Sequence, residues 1–486
     1  MRPAGPGGGP ALPSAWRTAT DGTASGRQRP NQPEAILVDH ILIVGGGFSG
    51  SLHAINMLRH AGPKVTLVER NAGPGLGLAY GSAHETHLLN VRASNMSALP
   101  DEPDHFVRWL QARGVAEAGA AFVPRVTYGE YLQDLLFAAE RESGGRLEIV
   151  RADANDLELD EAGVVLSLAD GRKLHADMAS LAMGNLPPHS PRGLDPLRLT
   201  AGRYWPNPWD SRLAESLSES DVVLVIGTGL TMVDVVLMLE AKGFRGRIFA
   251  LSRRGLLPRP HAAAAPFAKR AERPGTKASA LVRDVRMRAA EIGWRNAVDE
   301  LRPFTQSLWR AASSAEKGRF LRHLRPWWDV HRHRLAPEVD ARLQAMIASD
   351  QLEVAAGKLV AFDERGDGID VTWRRRGADA LETVAVTRIV NCTGPEGDLP
   401  STTEPLLRKL LARGTIRSDA QRIGVDVDKE ARTIAADGRP NDRLLALGPL
   451  TRGAFWEINA VPDIRAQVWD LARRLSNAHW VEGEGL

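Results

Sequence analysis

Two glycine clusters hold the residue types in this 486-residue chain whose spacing suggests chemistry. The first, Gly45-Gly46-Gly47-Phe48-Ser49-Gly50, stands between the apolar run His40–Val44 and a stretch of helical periodicity, SLHAINMLRHAG. Gly45 permits a tight turn, Gly47 lets the backbone approach a pyrophosphate, and Gly50 lets helix and strand pack closely. The helix N-terminus would then offer free N–H groups and a partial positive charge to phosphates. A further apolar run, VTLVE, ends in Glu69, placed where a carboxylate can accept hydrogen bonds from a ribose diol.

The second cluster repeats the order. The run DVVLVI leads into Gly227-Thr228-Gly229, then a helical stretch, then RIFALS, which ends in Ser252-Arg253-Arg254 instead of an acid. A 2′-phosphate is repelled by Glu and attracted by guanidinium, so this half suits NADPH, with NADH as the alternative. Met232 replaces the third glycine. Two dinucleotide units with different ribose-end chemistry imply two cofactors, a resident FAD at the first and an exchanging NADPH or NADH at the second.

Other candidates are sparser. Cys392 is the sole cysteine, which excludes a disulfide, a CxxC dithiol and a cysteine zinc cluster, and with them the dithiol reductases. Near RFLRHLRPWWDVHRHRLAP, Arg325, His331 and His333 are weak candidates for catalytic or substrate-binding roles. No metal site is expected, because the spacing of these histidines and Asp329 does not assemble a ligand set.

The elements that must position these groups follow from the pattern. Each βαβ unit is followed by alternating strands and an apolar strand closing on a glycine, ASLAMGN at Gly184 and RIVNCTGP at Gly394. The fold class is α/β, with two Rossmann-like dinucleotide-binding domains. The expected layout is a disordered low-complexity head at 1–35, an FAD-binding domain at 36–215, an NAD(P)-binding domain at 216–385, and a C-terminal part of the FAD-binding domain at 386–486. A helical insertion at about 257–340 belongs to the second domain. The formal net charge of +3 conceals an uneven distribution, since 253–334 holds 19 Lys/Arg against 7 Asp/Glu. A basic, Trp-bearing segment suits a small anionic substrate better than nucleic acid. No apolar run approaches the ~20 residues of a membrane span, and the cytoplasm is the expected location. Oligomeric state is not readable.

The run GLGLAYGSAHETHLLNVRASNMSALPDEPDHFVRWL, with IGTGLTMVDVV, SRRGLLPRPH and LLALGPLTRGAFWEINAVPDIRAQ, resembles the bacterial family that groups FAD-dependent urate hydroxylase with flavin-dependent aspartate N-monooxygenase. The resemblance runs from about His40 to the C-terminus. It implies a flavoprotein monooxygenase using FAD, NAD(P)H and molecular oxygen. It places Gly45, Gly47, Gly50 and Glu69 on the FAD adenosine and pyrophosphate, and Asn90, Arg92 and Met96 beside the flavin. Gly448 stands where many flavoproteins carry a Gly-Asp pair, and here the acid is missing. A helix starting near Pro462 would point its N-terminus at the flavin. The preferred reaction is hydroxylation of urate to 5-hydroxyisourate, since a planar anion suits arginine and tryptophan. The alternatives are N-hydroxylation of an aspartate-like amino acid, an NAD(P)H–flavin reductase or oxidase, and a flavin-binding interaction protein.

Overall fold

The computed structural model describes residues 38–82, 84–262 and 266–476. The low-complexity head expected at 1–35 lies outside the described residues. From Val38 onward the chain is one compact unit built on two large sheets and a small three-stranded one.

In the first sheet the strand order is Arg432–Ile434, Pro440–Ala446, Met178–Leu181, His40–Val44, Lys64–Glu69, Leu147–Arg151. His40–Val44 sits between two parallel neighbours, with Ile41 opposite both Val65 and Met178. Its unbroken apolar run follows from this position, because both faces are covered and alternation has no use there. One apolar cluster packs on each face of the sheet, the first around Ile41, Ile43 and Leu52, the second around Leu42, Val44 and Leu181. The helix Phe48–Arg59 crosses from the first strand to the second.

The second sheet repeats this plan. Val222–Ile226 lies between Arg247–Ser252 and Arg388–Asn391, all parallel, with the helix Leu230–Ala241 as the crossover. The sheet extends through Leu352–Arg365 into an antiparallel meander ending at Val386, and its other edge is Tyr204–Trp205. Two expected boundaries therefore move. Tyr204–Trp205 falls in the second domain and not in 36–215, and Arg388–Asn391 completes the second sheet and not the C-terminal part at 386–486. The reason is pairing: Arg388–Asn391 binds the central strand of the second unit just as Met178–Leu181 binds that of the first.

The chain crosses between the sheets just past Gly184 and Gly394, both at positive φ. The two crossings touch through the Leu186 and Glu396 backbones. The insertion is helical, as its composition implies, from Ala278 to Arg332. Pro337–Ala348, by contrast, is a core helix of the second domain, burying Val339, Leu343 and Met346 against its sheet. Among the described residues no helix is long and apolar enough to cross a membrane.

Candidate functional site: two nucleotide cradles and a polar junction

The first cradle is sterically closed. Gly45 has φ +104° and its N–H donates to Val68 O at 2.8 Å, and a Cβ built on it would lie 2.5 Å from Ala182 O. A Cβ on Gly50 would lie 1.8 Å from Gly45 O, so the helix rests directly on the turn. That helix begins at Gly47 with no side-chain cap and no acid in its first turn, leaving its N-terminal dipole for an anionic ligand. Glu69 is buried, and its carboxylate accepts N–H from Gly46 and from Asn71, each at 2.7 Å. The acid thus holds the turn at the end of its strand. Bare glycines, an uncapped helix and an acid at the strand end together fit the adenosine and pyrophosphate of a dinucleotide.

The second cradle is more open. Gly227, φ +121°, would set a Cβ 2.2 Å from Cys392 O, the equivalent of the Ala182 contact, whereas a Cβ on Gly229 would meet nothing within 4 Å. Met232, where the third glycine would fall, is fully buried in the core of this half. The departure therefore reflects a helix packed by a side chain instead of by bare backbone. Thr228 Oγ1 and Ser252 Oγ lie 2.9 Å apart and close the strand end. Arg253 is exposed and Arg254 half-buried, with only a 3.5 Å approach to His323 O. Among the described residues no carboxylate pairs with either guanidinium, which fits a 2′-phosphate.

The C-terminal segment joins the first cradle. Gly448 takes φ +62°, a Cβ there would lie 2.3 Å from Ser49 Oγ, and its N–H donates to Gln467 Oε1 at 2.8 Å. Gln467 belongs to the helix Val461–Leu475, which begins one residue before the expected Pro462. Its first-turn acid, Asp463, is tied to Arg302 of the insertion.

Beyond Gly448 the insertion and the C-terminal segment enclose a small polar pocket of about 30 Å³. Arg325, Asp329 and His333 line it from one helix face, and Arg452 and Glu457 from the C-terminal segment. Arg452 is 8% exposed and its Nε has no partner. Its strongest contact is a 3.5 Å approach to Glu396 O, and among the described residues no carboxylate lies in ion-pair range. Burial first, then repulsion from Arg325, lowers its pKa to about 10, so it stays cationic at neutral pH. Burial likewise lowers His333 to about 4, so this histidine is neutral. Glu457 accepts from Trp328 Nε1 at 2.6 Å and pairs with Arg302 and Arg332, and it does so at φ +64°, a conformation costly for glutamate.

The candidate histidines do not act as a pair. Pro326 cannot donate an N–H and crowds the preceding turn, and the chain answers with a π-helical turn at Phe320–Leu324. Downstream, His333 faces the polar pocket, while His331 lines a separate apolar cavity, held through Nδ1–H to Trp327 O at 2.7 Å. Of the loop residues, Asn90 offers its carbonyl to His261 Nε2 at 2.9 Å and Arg92 donates to Ala120 O at 2.6 Å. Met96, expected beside the flavin, is buried in the first apolar cluster.

The halves are locked together by a contact no motif announced. Asp234, on the second crossover helix, pairs with Arg125 of the first half at 2.7 Å, and its carbonyl accepts from His87 Nε2 at 2.9 Å. Arg452 and Glu457 were also missed, although TRGAFWEINAVPD contains them, because nothing in that string tells a buried arginine from a solvated one.

Comparison with known proteins agrees with this geometry. A family model described as FAD-NAD(P)-binding matches residues 42–186. No curated relative matches the chain. Among solved structures, an ornithine N-hydroxylase from Kutzneria sp. 744, with reduced FAD, NADP+ and L-ornithine, is similar at 16% identity. It has a TM-score of 0.63 and covers 90% of this chain and 98% of its own. The FAD-bound cadaverine monooxygenase of Erwinia amylovora has 13% identity and a TM-score of 0.63, covering 90% and 94%. Thioredoxin reductase from T. acidophilum is less similar, with 12% identity and a TM-score of 0.51, covering 90% and 97%. The chain has the α/β fold of two-domain FAD/NAD(P)-binding flavoproteins.

Proposed function

We propose that the protein is an FAD-dependent monooxygenase that uses NADPH and dioxygen to hydroxylate the nitrogen of a small amino acid or related amine bearing an anionic group. In the balanced reaction, the N–H compound, O2, NADPH and a proton give the N-hydroxy compound, water and NADP+. The carrying observation is the small pocket between the insertion and the C-terminal segment, where the buried Arg452 guanidinium has an unpartnered Nε and, among the described residues, no carboxylate in ion-pair range. Desolvating such a charge is costly unless a ligand anion completes it. The single buried cysteine leaves no dithiol relay of the kind a thioredoxin reductase fold would otherwise permit. Amine hydroxylation replaces urate hydroxylation as the preferred reading, because both monooxygenases compared above act on amines.

Gly45, Gly47, Gly50 and Glu69 would hold FAD, with Gly448 closing over the first helical turn. Gly227, Gly229, Arg253 and Arg254 would hold NADPH. When bound, FAD supplies hydride acceptance and dioxygen activation. The protein's own contribution is positional. Arg452 anchors the substrate anion, Arg325 adds a second positive charge to the same pocket, and the enclosed pocket limits water.

The test is NADPH oxidation and O2 uptake by FAD-loaded protein across a panel of amino acids, diamines and urate, with hydroxylamine detection. Substrate-stimulated turnover with N-hydroxy product and little free peroxide is expected. Arg452→Lys should raise KM for the anionic substrate by about 10-fold and leave KM for NADPH unchanged. Peroxide formation alone, or consumption of urate, would overturn the reading.

A further inference from the structure

The helical insertion encloses a second, larger cavity of about 450 Å³, a volume typical of small-molecule sites. One wall is the helix Ala278–Ile292, which has no buried residue although Leu281, Val282, Val285 and Ala289 fall on one face. An apolar stripe of this kind ordinarily packs on a partner. Here, among the described residues, it lines the cavity. The opposite wall is aromatic, with Trp309, Phe320, Trp327 and Trp456. Trp309 and Trp456 stack at 4.6 Å, leaving ring edges and faces for a further ring.

The polar groups of this cavity are unequally satisfied. Glu316 is spoken for, accepting N–H from Ala278 at 2.8 Å and pairing with Arg319. Lys317 lines the cavity with its ammonium 5.2 Å from the Trp309 ring, and Arg286 lines it from the aliphatic wall. Among the described residues neither cation has a carboxylate in ion-pair range. The cavity thus offers an apolar body site and an unbalanced positive charge.

We propose that this cavity binds an organic carboxylate with an aromatic body, its ring between the aliphatic helix and the tryptophans and its carboxylate on Lys317 and Arg286. The site is separate from the polar pocket at Arg452, and Trp456 forms the wall between them. A small amino acid would leave most of such a volume empty, so the occupant is not the small substrate discussed above.

The experiment is calorimetric titration of FAD-loaded, full-length protein with 1-naphthoate, with 1-naphthamide and octanoate as controls, and tryptophan quenching as a second readout. Naphthoate is expected to bind one-to-one, about tenfold tighter than the neutral amide and tighter than octanoate. Lys317→Met should abolish the preference for the carboxylate. Val285→Trp, which fills the cavity from a half-exposed helix face, should abolish binding with FAD retained, and Ala289→Trp provides the same block should Val285→Trp misfold. Absence of binding at millimolar naphthoate, equal affinity for the amide, octanoate binding as tightly, or undiminished binding in both blocking variants would overturn the proposal. None of these readouts depends on turnover, so failure of the hydroxylation reading leaves a distinct result.

Discussion

The two glycine turns follow one backbone plan and part at the side chains. Gly45 and Gly227 both take positive φ and both abut a carbonyl at the exit of the neighbouring strand, Ala182 in one half and Cys392 in the other. In the first half the helix then lies on bare Gly50, and Glu69 ties the turn to itself through Gly46 and Asn71. In the second half buried Met232 occupies the equivalent position, Gly229 opens on free space, and two guanidinia stand without carboxylates where the acid would be. A closed cradle suits a cofactor held through every turnover. An open one with uncompensated charge suits a cofactor that must arrive and leave, since charge steers the encounter and few contacts must break on release.

The strongest way to break this comparison is to exchange the glycine and methionine solutions. Gly50→Val places a branched side chain against a carbonyl only 1.8 Å from the first added carbon, and neither partner is a flexible side-chain tip. A loss of about 4 kcal/mol or more is expected, seen as colourless or insoluble protein. Met232→Gly empties a fully buried site and should cost about 3 kcal/mol, read by thermal unfolding, while flavin absorbance is retained. Equal loss of flavin in both variants would show that the halves are not independently packed.

A smaller effect tests the charge difference. Replacing Arg253 and Arg254 with Gln should raise KM for NADPH by about 10- to 100-fold and leave KM for NADH nearly unchanged, because only the 2′-phosphate loses its partners. Installing the opposite sign, Ser252→Glu, should shift preference toward NADH. Equal changes for both nucleotides would remove the 2′-phosphate from these arginines and leave them as solvated surface charge.

The cradles were legible because glycine spacing and apolar runs are local signals whose cause lies within a few residues. The helical insertion was legible from composition for the same reason. The strand Arg388–Asn391 was misassigned because its partner, Val222–Ile226, is remote in sequence, and strand neighbours carry no local mark. That Met96 belongs to the first core was not legible, since an apolar residue in a loop does not declare which apolar surface covers it. His331 and His333 looked adjacent and serve different cavities, because they fall on different faces of the helix that follows the Pro326-induced turn. Arg452 and Asp234 were invisible. Both are charged residues whose meaning comes from burial, which only the assembled domains create.

The seam between the halves offers the finest test of their independence, through two opposed titrations. Burial raises the Asp234 carboxyl to about 6 despite the Arg125 guanidinium, which pulls the other way. Its folded value exceeds the unfolded one, so its contribution to stability is fully present below about 4 and is lost as pH rises through 6. Burial, with Arg125 second, lowers His87 to about 4, so its contribution is present above about 6.5 and is lost as pH falls through 4. The two slopes oppose each other across the same window, and in the wild type they offset. Asp234→Asn should therefore expose the His87 slope, with Tm relative to wild type falling by about one to three degrees between pH 6.5 and 4. His87→Gln should show the reverse, gaining relative to wild type as pH falls from 6 toward 4. Parallel pH profiles in both variants and the wild type would mean that the seam does not report domain docking, and that each half is stabilised by its own core alone.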